Sequence, residues 1–383
     1  MLQSTNVAFA RVSMKAQRSI IVQLLCLVVL ARTALARNAD ATPGDIRRAI
    51  NRSMPFLAKQ GEAWIKERGA CVSCHQTAFL IWTHAEASRR GFPVDRPKLD
   101  GWTDHALLGA LAMQDGYGDA APDTLAQLLL GRDAGSSWFK IPPRWHHRTS
   151  DPYENVLQHL LKAQQKDGSW LAGGQSKNPP EIPTSWALLA LAARNDFVSA
   201  TGPATEGRRD ANAAVQKLLE SNDAALPAAI TKALEFLQSQ QIVPASDWNE
   251  RLVLRALVAR KFGSPEDAAA RWRELLERQH ADGGWSSDLK PDRPSDAFAT
   301  GQSLYALDIA GQDLQKPAVR RAANFLWRTQ QPNGAWIVPT TAFHPLTGDA
   351  KRDAATDDVY TYWGTAWAAL GLLRLLPEDQ IPK

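Results

Sequence analysis

The chain has 383 residues, with 44 lysines and arginines against 40 aspartates and glutamates, and three cysteines. Four of the basic residues, Arg11, Lys15, Arg18 and Arg32, fall in an acid-free segment over 1–36. Residues 37–383 therefore balance in charge and offer no basic surface for nucleic acid. They are also too many for one ordinary core, which leaves two domains or a repeat array.

Segment 1–36 has the order of a secretory signal. Basic residues come first, the apolar run "SIIVQLLCLVVLA" holds 19–31, and "TALA" ends a small-residue cleavage site at Ala36. The run is too short to span a bilayer comfortably. The expectation is an exported, periplasmic protein with no transmembrane span in its mature chain. Residues 37–48 read as a flexible N-terminal segment and 49–378 as one domain.

Helical runs then alternate between amphipathic and apolar. "DIRRAINRSMPFLAKQGEAWIKE" precedes "QTAFLIWTHAEASRRG", and "RPKLDGWTDHALLGALAM" precedes "DTLAQLLLG". "ENVLQHLLKA" precedes "SWALLALAA", and "PAAITKALEFLQSQ" precedes "DWNERLVLRALVARKFG". "AARWRELLER" precedes "FATGQSLYALDIA", and "RAANFLWRT" precedes "YWGTAWAALGLLRLL". Three of these pairs are joined through "QQKDGSW", "QHADGGW" and "QQPNGAW", each Gln-x-x-Asp/Asn-Gly-x-Trp. Asp or Asn followed by Gly suits the left-handed turn that stops a helix, Gln can bond freed backbone groups, and Trp can cover the turn. Six hairpins of this kind predict six apolar helices inside and six amphipathic ones outside. The apolar helices are too apolar to leave a face in water, which favours a closed ring over an open solenoid.

The Gln–Trp turns resemble those of the squalene–hopene cyclase and prenyltransferase superfamily. That resemblance implies an all-α (α/α)6 toroid. Class II triterpene cyclases carry an Asp-x-Asp-Asp acid motif. The nearest stretch here, "ATDDVYTYWGTAWA", keeps Asp357 and Asp358 but has Ala355 in the first place. These two acids and Asp296 in "PSDAFAT" are catalytic candidates, and each also suits a helix cap. The zinc set of prenyltransferase β-subunits needs a cysteine that this chain lacks after Cys74. Toroid polysaccharide lyases and hydrolases use Arg, Lys or paired acids, for which no diagnostic spacing stands out. Trp82, Trp186, Trp363 and Trp367 fall on inner helices, where they either line an aromatic cavity for a hydrophobic or sugar ligand or pack as core.

One motif remains, in "GACVSCHQTAF" at 69–79. A Cys71–Cys74 disulfide would close a tiny loop and stabilise little. Zinc would need two more ligands, and a thioredoxin-like site a βαβ context. Cys-x-x-Cys-His is the attachment signal of c-type heme. The segment resembles that of monoheme cytochromes c and of bacterial proteins joining such a segment to a squalene-cyclase-like toroid. The resemblance implies one covalent heme c on Cys71 and Cys74, with His75 as axial iron ligand. Met113 and His344 are the candidates for the sixth ligand. A vacant sixth position, filled by water or substrate, is the alternative, and the expectation is therefore a monoheme c-type protein on a toroid, serving electron transfer with a redox partner protein or heme-based redox chemistry. A terpenoid-cyclase-like or carbohydrate-active enzyme with an incidental Cys-x-x-Cys, and a non-catalytic binding toroid, stand as alternatives.

Overall fold

The alternation of amphipathic and apolar runs becomes twelve α-helices among the described residues of the computed structural model. Those residues are 40–68, 76–112, 121–133, 152–173, 178–201, 213–240, 248–290, 292–312 and 314–378. The helices form six successive pairs. They are α1 (Pro43–Arg68) with α2 (Gln76–Arg89), α3 (Arg96–Ala112) with α4 (Pro122–Asp133), and α5 (Pro152–Lys162) with α6 (Glu181–Thr201). There follow α7 (Ala213–Ser239) with α8 (Asn249–Phe262), α9 (Pro265–Glu277) with α10 (Ala297–Ile309), and α11 (Pro317–Thr329) with α12 (Ala350–Arg374).

The even-numbered helices are the inner ring. Each packs on the next, from α2 through α4, α6, α8 and α10 to α12, and α12 packs back on α2. The fold is thus the (α/α)6 toroid expected from the pattern. Inner helices are covered on all sides, and α2 buries every residue from Gln76 to Ala87. Outer helices are amphipathic: α11 buries Val319, Ala322, Ala323 and Leu326, a stripe at helical spacing.

The Gln–Trp turns act as rivets. In each, the Trp indole N–H donates to a carbonyl of its own outer helix: Trp170 to Leu160 (2.7 Å), Trp285 to Leu275 (2.8 Å) and Trp336 to Leu326 (2.7 Å). The Trp backbone N–H donates to a threonine of its own inner helix: Thr184, Thr300 and Thr365. The Gln side chain reaches onward to the next outer helix, from Gln164 to Ala229 O (2.9 Å) and from Gln279 to Ala318 O (2.8 Å). Gln330 reaches Ala49 O in α1 (2.8 Å), so the last turn closes the ring on the first helix. Trp therefore holds a hairpin together and Gln holds it to its neighbour.

Two boundaries differ from the sequence reading. Residues 43–48, expected to be flexible, are the first turns of α1. Thr42 and Asp45 form a reciprocal cap there, with Asp45 N donating to Thr42 Oγ1 (3.2 Å) and Thr42 N to Asp45 Oδ2 (3.0 Å). The last inner helix begins at Ala350, capped by Asp349, rather than near Tyr362. Its first turns project beyond the level where α6 and α10 begin.

Rings from four inner helices fill the axis. Trp186 of α6 stacks on Trp367 of α12, with centroids 5.9 Å apart, and Trp82 of α2 meets Tyr305 of α10 at 5.7 Å. Helices α6 and α12 are opposite one another in the ring order, so their contact crosses the centre. No helix among the described residues is long and apolar enough to cross a membrane.

Candidate functional site

All six inner helices begin at the end of the ring that carries the Gln–Trp turns, here the start face. Their free N–H groups make it electropositive, which suits carboxylates. Acids at or near helix starts there have differing fates. Glu181 is neutralised by Arg251 and by Arg255, whose Nε lies 2.7 Å away, and its carboxyl ends up below the usual range. Burial pushes the other way, and the two arginine hydrogen bonds and charges outweigh it. Asp296 caps α10, accepting from Ala299 N (2.9 Å), Ser287 N (2.7 Å) and Ser287 Oγ (3.0 Å). Burial raises it to about 6 despite those bonds.

Asp357 and Asp358 lie inside α12, not at its start. The repeat register explains this: Thr361 accepts from Val338 N (3.2 Å), as Asp296 does from Ser287 N. Thr361 therefore occupies the capping position, and the Asp pair sits on the projecting turns. Asp357 accepts from Thr340 N (2.5 Å) and Thr340 Oγ1 (2.6 Å), tying down the 3-10 turn Thr340–Ala342. Asp358 is exposed.

Asp123 and Glu250, the second residues of α4 and α8, are the acids that sequence spacing did not single out. Asp123 is buried, and that burial raises its carboxyl to about 6, with the Thr124 N–H working against it. Glu250 is raised to about 7, first by its surroundings; the Trp186 indole N–H lowers it and the Asp123 charge raises it further. That indole donates to Glu250 Oε1 at 3.0 Å. Glu250 nevertheless keeps partial exposure, as a group hemmed in by protein but open to solvent on one side. The two helices are next-but-one in the ring, with α6 and its Trp186 between them. A signal existed in the sequence: "PDTL" and "WNERL" each put an acid at the second position of an inner helix.

An aromatic cluster stands on the same start face, with Trp248 two residues before Glu250. Phe343, in the loop before α12, stacks on Tyr360 (4.1 Å) and Trp248 (5.9 Å) and meets the edge of Phe298 (5.1 Å). His344 is exposed and lies against Trp248 and Tyr360, at 6.1 and 6.3 Å. It is on the start face, as the repeat predicts. Cys71, Cys74, His75, Met113 and the 1–36 segment lie outside the described residues. Among the described residues no cluster of three or more His, Cys, Asp or Glu is arranged to hold a metal ion.

The opposite end of the ring, where the inner helices stop, carries a cavity of about 520 Å3. Trp82, Trp186, Tyr305, Leu257 and Ile309 line it, with Arg260 and Lys261 at the lip. The inner-helix tryptophans thus divide: Trp82 and Trp186 line this cavity, Trp367 is packed behind them, and Trp363 meets Tyr360 on the start face.

Comparison of the sequence with protein-family models and with curated proteins finds no match. Solved structures do match. A possible member of the GH105 family from Salmonella enterica serovar Paratyphi A is 14% identical, covers 88% of this chain and 95% of its own, and has a TM-score of 0.54. An unsaturated glucuronyl hydrolase from Bacillus sp. GL1, responsible for the degradation of glycosaminoglycan, is 15% identical over 86% of this chain and 96% of its own, with a TM-score of 0.51. An unsaturated glucuronyl hydrolase from Streptococcus agalactiae, complexed with dGlcA-GalNAc6S, is 11% identical over 89% and 93%, at 0.51. At such identity the likeness establishes the α/α toroid and leaves the activity to the site.

Proposed function

We propose that this toroid is a carbohydrate-active enzyme whose start face performs acid–base chemistry with Asp123 and Glu250. The observation that carries the reading is the pair itself. Two carboxyls on next-but-one helices are both raised toward neutrality, the Asp123 charge adds to the rise at Glu250, and an indole N–H fixes Glu250. Near pH 7 the pair holds a proton to give and a carboxylate to receive one, as glycoside hydrolysis requires. Protonated Glu250 gives its proton to the leaving oxygen as the glycosidic C–O bond breaks. Asp123 takes a proton from the water that bonds to the anomeric carbon. Trp248, Phe343 and Tyr360 supply faces on which a sugar ring stacks. The fold's likeness to unsaturated glucuronyl hydrolases supports the substrate class. A terpenoid-cyclase chemistry is less well supported, because the Asp357–Asp358 stretch lacks the first acid of that motif.

The test is release of reducing ends from a panel of unsaturated uronyl oligosaccharides and neutral glycosides. Wild type should turn over a member of the panel. Asp123→Asn and Glu250→Gln should each lower kcat by about 100-fold or more while keeping the helical spectrum. Turnover unaffected by either change, or no turnover or binding across the panel, refutes the reading.

A second reading rests on the sequence Cys71-Val-Ser-Cys74-His75: one covalent heme c, attached after export to the periplasm. In this reading His75 ligates the iron, Met113 or His344 completes it, and a redox partner protein exchanges the electron. It is supported by the motif and by His344 standing on the face where α2 begins, one residue after His75. Protein exported from a host with heme-attachment machinery should carry the extra mass of one heme. A bare polypeptide mass under those conditions removes this reading.

A further inference from the structure

The cavity at the far end of the ring holds neither acid of the start face and shares with it only Trp186, whose indole N–H reaches Glu250. Its floor is aromatic: Trp82 and Trp186 meet edge to face with centroids 6.4 Å apart, and Tyr305 stands across Trp82 at 5.7 Å. Its walls are aliphatic, from Leu130, Leu189, Leu257 and Ile309. At about 520 Å3 it lies within the range of pockets that hold a small organic ligand. Trp367, packed against all three floor rings, closes it toward the start face.

Three polar groups in this cavity's lining lack hydrogen-bond or ion-pair partners among the described residues, and the buried Trp82 indole N–H is one of them. The Tyr305 hydroxyl makes no hydrogen bond, although the residue is partly buried. Arg260 is exposed at the lip and has no ion pair. The nearby acids, by contrast, are spoken for. Glu86 pairs with Arg90 (2.6 Å) and Arg374 (3.2 Å), and Asp308 with Arg374 (2.7 Å). The Arg374 guanidinium also lies over the Tyr305 ring at 5.7 Å. Basic residues in the last turn of α8 complement that helix's C-terminal carbonyls. That accounts for Arg260 and Lys261 being basic. It does not account for the apolar chamber whose mouth they flank.

We infer that the end-face cavity binds an amphipathic organic carboxylate, its apolar body on the Trp82–Trp186–Tyr305 floor and its head group at Arg260. An apolar body gains by leaving water for aromatic and aliphatic walls. A carboxylate gains a charge-assisted bond from the Arg260 guanidinium at the lip. The inference stands independently of the proposed glycan chemistry, and its readout requires no turnover.

The experiment is calorimetric titration of the full chain with sodium decanoate, decanol and decyltrimethylammonium, each below its aggregation threshold. Decanoate should bind one per chain, at least tenfold tighter than decanol, with no binding of the cation. Arg260→Glu, a surface change, should weaken decanoate at least tenfold and leave decanol unaltered. Ala193→Trp, which fills the chamber from a partly exposed position, should abolish both. Equal affinity for decanoate and decanol, preference for the cation, binding that survives Ala193→Trp in a folded variant, or no decanoate binding would each overturn the inference.

Discussion

Ring closure through the last Gln–Trp turn makes a prediction that separates two costs usually confounded in a glycine substitution. Gly334 has φ +86°, and a Cβ there would fall well inside contact distance of the Arg52 carbonyl in α1. Gly311 has φ +77° and nothing within 4 Å of a built Cβ. Gly311→Ala therefore meets only the left-handed penalty, partly offset by a stiffer unfolded chain, for a net loss of about 1 kcal/mol. Gly334→Ala meets the same penalty and must also push α1 away. That shift costs about 1–3 kcal/mol as overpacking against backbone. It also strains the Gln330 bonds to Ala49 O (2.8 Å) and Gly334 O (3.1 Å), which are worth about 1 kcal/mol each. The expected total is about 4 kcal/mol, against about 1 for the control. Urea unfolding followed by far-UV ellipticity measures both, with Gly283→Ala, φ +96° against Arg321 O, as an internal repeat. If Gly334→Ala costs no more than Gly311→Ala, α1 does not seat on the last turn and the ring is not closed as described.

Other outcomes follow from the same contacts. The Glu250 carboxyl is raised in the folded state from 4.5 to about 7, so it stabilises the fold fully below about pH 4.5 and ceases to do so as pH rises through 7. Glu250→Gln should therefore become the more stable chain as pH goes from 5 to 8, with a relative change of about 3 kcal/mol in chemical denaturation; pH-independent differences would refute the burial argument. Asp296→Ala strips a buried cap with three accepted bonds and should cost about 2–3 kcal/mol, whereas exposed Asp358→Asn should stay within about 0.5 kcal/mol. Cys71→Ala with Cys74→Ala should remove covalent heme from exported protein by mass and leave the helical spectrum in place; retention of heme mass in the double variant would sink the attachment reading.

The fold was legible because its instructions are local. Each Gln-x-x-Asp/Asn-Gly-x-Trp turn sets its own geometry, and all six helix pairs were present as alternating amphipathic and apolar runs. Ring closure, too, followed from inner helices with no polar side. The start of α12 was misjudged because Thr361, not an acid, fills the capping place that Asp296 fills in the preceding hairpin. The long helix then runs on through "DAATDDV", where Asp349 caps it earlier. The candidate site was not legible for a different reason. Asp123 and Glu250 come from separate hairpins, and the charge of one reaches the other only because two inner helices are next-but-one in a closed ring. No spacing along the chain encodes that approach. That Arg260 has no ion pair among the described residues is equally a property of the assembled end face and not of any spacing along the chain.

The central claim is that Asp123 and Glu250 are buried-site carboxyls poised near neutral pH, with the Asp123 charge acting on Glu250. Carbon-13 NMR titration of glutamate side-chain carboxyls tests it directly, with Glu250→Gln to assign the signal. The account predicts one glutamate titrating near pH 7, absent in Glu250→Gln and shifted downward in Asp123→Asn as the neighbouring charge is removed. A Glu250 signal that titrates in the ordinary range near 4.5, or that ignores Asp123→Asn, would contradict the pairing and with it the acid–base role of the start face.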